Sequence, residues 1–286
     1  MSTVCPGSAA RSDRVVNVCS WGEYIDEELI TEFEEQPVIY RYETVDSTNT
    51  VCRTLAQEGA PDGTAVIARR QTAGRGRMGR GFESPAGLGL YLSVLWRTGL
   101  RTDTLPMVTP LAAVAVCHAV ERVCGLRCGI KWPNDLVLGG RKVCGILTES
   151  SFRPDGAPDW VIVGIGVNVS QTAADFSPDV AGMATSLRAE AGHAVSRDEL
   201  ARALMGELTD LHDRVLPDPA LWRADYCARC VSIGQRVRLV RGGTACEAAA
   251  EGVDPRYGLT VRYDDGTVET LYGGEVSVRG LYGYSE

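Results

Sequence analysis

Short apolar runs alternate with polar turns along most of the chain, which predicts strands interrupted by a few helices. Seven strands are predicted before residue 170, at 38–42, 64–68, 89–96, 126–130, 136–138, 142–149 and 160–169. Helices are predicted at 26–35, from the N-cap residues at 46–49 to 58, at 110–124, and from the capping box at 196–199 to 215. The helix at 110–124 is apolar nearly all round and is expected to be buried.

The pattern changes after residue 230. Five short strand-like runs follow, separated by Gly and Asp turns, at 236–240, 245–251, 258–263, 268–272 and 276–279. Evenly spaced short strands predict a small SH3-like barrel. We therefore expect an N-terminal extension with a short acidic helix at 1–36, a mixed α/β domain at 37–230 and the barrel at 231–286.

Charge and composition narrow the class of protein. The chain has 29 Lys+Arg against 37 Asp+Glu, a net charge of −8, which disfavours a protein that coats nucleic acid. No run approaches the roughly 20 continuous apolar residues of a membrane helix, and residues 1–14 have no apolar core like that of a signal peptide. We expect a cytoplasmic protein with neither nucleic acid nor membrane as its partner.

The ten cysteines are scattered and are expected to be reduced, buried thiols. Cys227 and Cys230 form a CxxC pattern without a second CxxC or an HxxxH partner. The pattern allows a zinc or redox site, or a pair of core cysteines at a helix end. We predict no zinc site and no other metal held by the protein.

A glycine- and arginine-rich loop at 71–88 is the most specific segment. Its glycine spacing matches both a dinucleotide fingerprint and a P-loop, but each of those opens a helix. Here Pro85 and Gly87 lead into another strand, so both interpretations fail. What remains is a flexible loop that presents Arg75, Arg77 and Arg80 to an anion such as a phosphate or a carboxylate. The alternative is a solvated arginine–glycine loop that binds RNA without sequence preference.

A lysine in the predicted strand at 142–149 adds a positive charge to those of the three loop arginines. Period-2 alternation places Lys142 on the same face as Cys144 and Ile146, which is costly unless the amine meets an anion. A strand-end lysine that extends to solvent is the alternative.

Together these motifs resemble those of the biotin-protein ligase family. The matching residues are Asp46 to Asn49, Gln71, Ala73 to Arg77, Gly79, Arg80, Ser84, Pro85, Lys131 to Asp135, Lys142, Gly145 to Leu147, Glu149, Gly164 to Asn168 and Gly274 to Ser277. They occur in the family's order over about residues 38–279. The resemblance implies a class II synthetase-like α/β catalytic domain at 37–230, followed by the SH3-like β-barrel.

The resemblance also implies a two-step reaction. Biotin and Mg-ATP would give biotinyl-5′-adenylate and pyrophosphate, and a lysine of a biotin carboxyl carrier domain would then displace AMP. ATP and Mg²⁺ are the implied cofactors, and the carrier domain of a carboxylase is the implied partner.

The family's site residues carry over to matching positions. The implied catalytic residues are Lys142, Arg75, Arg77 and Asp135, with Asp135 orienting the incoming lysine. The implied biotin-binding residues are Ser47, Thr48, Asn49, Gln71, Arg75, Gly76, Arg77, Lys142, Gly145, Gly164 and Gly166. The implied ATP- and adenylate-binding residues are Arg77, Arg80, Phe82, Trp132, Asn134, Asn168 and Arg279.

Two departures bear on this resemblance. Phe82 stands where many members have Trp, and we expect it to stack on adenine with a smaller face. The N-terminal segment is too short for the family's DNA-binding domain, so no repressor function is expected. The resemblance allows a monomer or a homodimer.

Two other functions stay open at this point. A lipoate or octanoate ligase shares the fold, but its Arg-Arg-x-x-Gly-Gly-Gly loop is absent from the sequence. A binding module is the other alternative, either a biotin sensor or an RNA-binding protein that uses the arginine loop and the barrel.

Overall fold

A seven-stranded mixed sheet forms the larger half of the protein. The computed structural model describes residues 38–278, apart from residues 98, 242, 243 and 274. The strands of this sheet are β1 Ile39–Val45, β2 Ala65–Gln71, β3 Gly89–Trp96, β4 Gly129–Lys131, β5 Asp135–Leu138, β6 Arg141–Phe152 and β7 Pro158–Asn168. Their spatial order is β1-β2-β3-β7-β6-β5-β4. Only β1 and β2 run parallel among these described pairs; the other neighbours are antiparallel.

The described helices are α1 Thr48–Gln57, α2 Leu105–Cys124, α3 Pro178–Ala181, α4 Leu187–Ala191, α5 Arg197–Asp210 and α6 Arg223–Arg229. A π-helical turn, Leu211–Val215, continues α5 to the residue where the sequence pattern predicted its end. The Ser196 side chain accepts a hydrogen bond from the Glu199 N–H and caps α5, as the capping box predicted. The predicted helix at 26–35 and the predicted site residue Arg279 lie outside the described residues.

The two faces of the sheet pack against different helices. The main core joins α2 and α5 to one face, with Leu92, Val94, Val163 and Ile165 among the sheet's contributions. On the other face α1 packs through Cys52 and Ala56 in a smaller cluster. Side chains alternate between the two faces along a strand. In β7, Val161 and Val163 therefore join the main core, whereas Ile162 packs against α1 on the other face.

Helix α2 begins five residues before its predicted start at Pro110. Pro106 occupies the first turn, where a missing N–H breaks no helical hydrogen bond, and Pro110 is buried one turn later. With these residues included, α2 is long and apolar enough by length and composition to cross a membrane. In the fold most of it is buried against the sheet, so the expected burial of this helix is confirmed.

The C-terminal unit is a five-stranded antiparallel sheet in the order β11-β10-β9-β8-β12. Its strands are β8 Arg236–Arg241, β9 Thr244–Val253, β10 Leu259–Arg262, β11 Val268–Leu271 and β12 Glu275–Val278. This sheet corresponds to the small barrel expected from the sequence. Val237, Leu239 and Leu259 belong to the same hydrophobic cluster as the main core, so one core continues across both units.

Candidate functional site

A pocket opens on the α1 face of the seven-stranded sheet. The predicted residues that line it are Ser47, Thr48, Asn49, Gln71, Arg75, Gly76, Arg77, Arg80, Phe82, Trp132, Asn134, Asp135, Lys142, Gly145, Gly164 and Gly166. The fold therefore gathers residues that are more than 100 positions apart in the sequence. Further lining residues that the sequence analysis left unassigned include Met78, Lys131 and Leu147.

The polar end of the pocket is the first turn of α1. Ser47 is the N-cap residue, but its side chain makes no capping hydrogen bond. The Gln71 side chain takes over this role: its Oε1 accepts from the Thr48 N–H at 2.8 Å and from Thr48 Oγ1 at 3.1 Å. The Ser47 hydroxyl is therefore not used for capping. It lines the pocket beside the oriented N–H groups at the start of the helix.

A buried serine that the sequence analysis missed holds this end together. Ser93 on β3 is fully buried, and its Oγ lies 2.8 Å from Thr48 Oγ1 and 2.6 Å from Asn49 Oδ1. A polar residue in the otherwise apolar strand β3 was the signal available in the sequence. Its partners lie about 45 positions away, so no local spacing could identify them.

Glycines form the floor of the pocket where α1 no longer covers the sheet. A Cβ at Gly164 would lie 1.9 Å from Asn49 Oδ1, and a Cβ at Gly166 would lie 2.6 Å from the Phe82 ring. At Gly145 it would lie 3.1 Å from Lys142 Nζ. Any larger residue at these positions would displace the groups that build the pocket.

Phe82 lies inside the pocket. Its ring rests on Gly166 and Gly145, with Lys142 Nζ 5.9 Å from the ring centroid. The remaining cavity is about 150 Å³, smaller than the several hundred Å³ typical of a small-molecule site. The Phe82 ring therefore occupies part of the space above the glycine floor.

The glycine–arginine loop is a hairpin rather than the start of a helix. The Phe82 N–H donates to the Gly74 carbonyl at 2.8 Å, and the Gly76 N–H donates to the Arg80 carbonyl at 2.7 Å. The chain turns at Met78 and then continues into β3. This geometry confirms that the loop is neither a P-loop nor a dinucleotide fingerprint, both of which open a helix.

Each of three predicted cationic groups has a partner within the protein. Arg75 lies 3.2 Å from Glu149, and Lys142 Nζ lies 2.7 Å from Asp135 Oδ1. Arg77 donates to Asn134 Oδ1 at 3.0 Å. The site is therefore organised before any ligand binds, and an incoming anion has to compete with these partners.

The predicted face of Lys142 is wrong. Its side chain lies over Gly145 at the pocket, whereas Cys144 is packed in the main core. The reason is a register shift in the β5–β6 pair, where Leu136 pairs with Cys144 but the next residue, Val137, pairs with Lys142. The extra residue breaks the period-2 alternation and turns the lysine towards the pocket.

Of three residues that the family resemblance assigns to nucleotide binding, two line the pocket and one does not. Asn134 is fixed in the pocket wall, donating through Nδ2 to Asp135 Oδ1 and to the Ile146 carbonyl, both at 3.1 Å. Trp132 lines the pocket while its indole N–H donates to the Tyr257 carbonyl at 2.9 Å. Asn168 does not line the pocket: it is buried, and its Nδ2 donates to the Thr185 carbonyl at 3.0 Å.

The cysteines near the pocket are protonated thiols. Burial, with a smaller contribution from the Glu149 carboxylate, raises the pKa of Cys52 to about 12. Burial also raises the pKa of Cys144 well above its usual range. Among the described residues no group of three His, Cys, Asp or Glu side chains could hold a metal ion, and the described cysteines, Cys227 and Cys230 included, are free.

Comparison with known proteins agrees with this geometry. A family model described as the biotin/lipoate A/B protein ligase family matches residues 42–168, and one described as the biotin protein ligase C-terminal domain matches residues 232–279. The biotin–[acetyl-CoA-carboxylase] ligase of Mycobacterium tuberculosis is 34% identical over 250 residues, which cover 82% of this chain and 86% of that protein. The chain belongs to the biotin protein ligase family.

Other members of the biotin protein ligase family extend the comparison. The structure of biotin protein ligase from Aquifex aeolicus in complex with biotin and ATP has a TM-score of 0.70 at 27% identity, covering 84% of this chain and 98% of that one. The bifunctional ligase/repressor BirA of Bacillus subtilis is 42% identical over 169 residues. The aligned part spans 51% of that relative, so the chain matches about half of its length. Both units of the fold thus belong to the biotin protein ligase family.

Proposed function

We propose that this protein activates biotin with Mg-ATP and transfers it to a lysine of a biotin carboxyl carrier domain. The observation that carries the proposal is the pocket itself, where Arg75, Arg77 and Lys142 converge on a glycine floor beside a helix start. Family membership supports biotin as the substrate, and the relative named for acetyl-CoA carboxylase supports a carrier domain as the acceptor.

The first step joins two anions. The biotin carboxylate attacks the α-phosphate of ATP, the bond to the β-phosphate breaks, and pyrophosphate leaves. Mg²⁺ enters with ATP as part of the substrate and neutralises phosphate charge. The protein contributes alignment and positive charge, which Arg75, Arg77 and Lys142 supply as they exchange their internal partners for the substrates.

The second step transfers the acyl group. The acceptor lysine, as a free amine, attacks the carbonyl carbon of the mixed anhydride, AMP leaves with the electron pair of the broken bond, and the new amide nitrogen releases one proton to solvent. We propose that Asp135 orients this amine. Its carboxylate already lies 2.7 Å from Lys142 Nζ, which supports a position close to the reacting carboxyl group.

The experiment is transfer to a purified biotin carboxyl carrier domain, followed by intact-protein mass spectrometry. We expect one biotinyl group on one lysine, dependent on both ATP and biotin, and none on the carrier variant in which that lysine is Arg. A folded protein that leaves the carrier unmodified under these conditions would contradict the proposal.

A lipoate ligase is the second candidate, because the family model that matches residues 42–168 covers biotin and lipoate ligases together. The match of residues 232–279 to a biotin protein ligase C-terminal domain favours biotin. Lipoate supplied in place of biotin, with a lipoyl carrier domain as acceptor, separates the two. We expect no lipoyl transfer and no competition by lipoate against biotin.

A further inference from the structure

Glu149 lies on the same strand as Lys142, two residues beyond Leu147 of the pocket lining. Both residues belong to β6, and Gly145, Leu147 and Glu149 alternate along the strand so that they share one face. Gly145 and Leu147 line the pocket. The Glu149 side chain is only 20% exposed, so its carboxylate requires partners within the protein.

Three residues from two elements meet this carboxylate. The Asn49 Nδ2 donates to Glu149 Oε2 at 2.8 Å. The guanidinium groups of Arg75 and Arg53 lie 3.2 and 3.5 Å from Glu149 Oε1. Asn49 and Arg53 come from α1 and Arg75 comes from the glycine–arginine loop, so one side chain joins the helix start to the loop.

Asn49 depends on Glu149 for its orientation. It is 3% exposed, and its Nδ2 donates both to Glu149 and to the Leu147 carbonyl, at 3.2 Å for the latter. Its Oδ1 accepts from Ser93 and lies directly above Gly164. With both N–H groups used inside the protein, Asn49 shapes the pocket wall in a fixed direction instead of donating to a ligand.

Arg75 depends on the same carboxylate in a different way. Its side chain is 43% exposed and lies on a loop whose tip, Met78, is also exposed. A long cationic side chain on such a loop samples many rotamers unless an anion fixes it. Glu149 fixes the guanidinium at the pocket wall.

We propose that Glu149 is a positioning residue that sets the direction of the Asn49 amide and holds Arg75 ready for the anionic substrates. This inference rests on the proposed function, because it assigns Arg75 to the activation of biotin. Glu149 itself touches neither substrate, and it acts through the two residues that it orients.

The test compares Glu149→Gln and Glu149→Ala with the control Arg53→Ala. A glutamine keeps an acceptor for Asn49 but loses the charge that holds Arg75. We expect Glu149→Gln to lower kcat for biotin-dependent pyrophosphate exchange by about 10- to 100-fold, with little change in KM for biotin. Glu149→Ala is expected to raise KM for biotin as well, because Asn49 then loses its acceptor.

Arg53 contacts the same carboxylate but does not line the pocket. We expect Arg53→Ala to stay within about 3-fold of the wild type, because Arg53 lies outside the pocket lining whereas Arg75 is part of it. In an Arg75→Ala background, Glu149→Gln should have little further effect on kcat. Kinetics of both Glu149 variants that match those of Arg53→Ala, or an undiminished further loss in the Arg75→Ala background, would overturn the proposal.

A second readout needs no catalytic activity. Trypsin cleavage within the glycine–arginine loop of the ligand-free protein should be faster in Glu149→Gln than in the wild type or in Arg53→Ala. Equal cleavage rates would overturn the role of Glu149 in holding Arg75. If the wild type lacks biotin-dependent exchange, the proposed function fails, while this comparison still decides the positioning role.

Discussion

At the scale of single residues, the pocket depends on where charge and small size are placed. Lys142 and Arg75 each meet a carboxylate before any substrate binds, at 2.7 and 3.2 Å. Gly145, Gly164 and Gly166 let the side chains of Lys142, Asn49 and Phe82 lie close to the sheet. Replacing a charge and filling the floor should therefore affect catalysis and binding separately.

Lys142→Gln should lower the rate of adenylate formation by about 100-fold or more, since in the proposed reaction the amine stabilises charge that develops in the transition state. Single-turnover formation of the adenylate measures this loss, and thermal unfolding measures the stability. We expect a small change in Tm, because the lysine is part-exposed at 31%. A stability loss that accounts for the whole loss of activity would indicate a structural lysine instead.

Gly166→Ala should weaken biotin binding by at least about 10-fold, the usual effect of one methyl group in a closely fitting pocket. The atoms nearest to the new Cβ belong to the Phe82 ring, a side chain that can rotate, so the protein should still fold. Titration calorimetry with biotin measures the affinity. The matched control is Gly206→Ala on α5, which has nothing within 4 Å and should be slightly more stable with unchanged affinity. Equal affinities of the two variants would contradict a pocket floor at Gly166.

At the scale of secondary structure, the sequence predicted features that depend on neighbouring residues. It missed features that depend on strand pairing and on long-range hydrogen bonds. The capping box at 196–199 was predicted from four neighbouring residues, and Ser196 caps α5 there. The face of Lys142 was wrong because the register shift is set by the partner strand β5. Ser93 and Glu149 were left without roles because Asn49, their shared partner, lies 44 and 100 positions away.

His118 joins three helices and should make stability depend on pH. Its Nδ1 lies 3.2 Å from Glu207 on α5, and its Nε2 lies 2.7 Å from Asp225 on α6. The hydrogen bond to Glu207 raises the pKa of His118 above its usual 6.5, although burial opposes the shift. Its contribution is therefore fully present below pH 6.5 and is lost as the pH rises through the raised value.

Urea unfolding of His118→Gln and the wild type at several pH values tests this linkage. The wild type should be more stable by the largest margin below pH 6.5, and the margin should shrink towards alkaline pH. The carboxylates of Glu207 and Asp225 are present in both proteins, so the difference reports on the imidazole. A margin that is independent of pH would contradict the linkage.

At the scale of the whole molecule, the C-terminal unit supports the pocket directly. The segment that leads from α6 into the C-terminal sheet pairs with the edge strand β4, where the Val231 N–H donates to the Ile130 carbonyl at 2.9 Å. Trp132, which follows β4, is anchored by the Tyr257 carbonyl. The wall of the pocket is therefore supported by residues of both units. The basic side chains in this pocket are a local feature of a chain whose net charge is −8.

Trp132→Phe should reduce the free energy of unfolding by about 1–3 kcal/mol, because the buried Tyr257 carbonyl loses its donor. It should also slow adenylate formation, since Trp132 shapes the pocket wall. Urea unfolding and single-turnover kinetics measure the two effects. A variant with unchanged stability would show that the contact between the two units contributes nothing to the fold.

The central claim is that the pocket activates biotin as an adenylate, and isotope exchange between pyrophosphate and ATP tests it most directly. The account predicts exchange that requires biotin and Mg²⁺, proceeds without any carrier protein, and falls by about 100-fold or more in Lys142→Gln. A folded wild-type protein without biotin-dependent exchange would contradict the account.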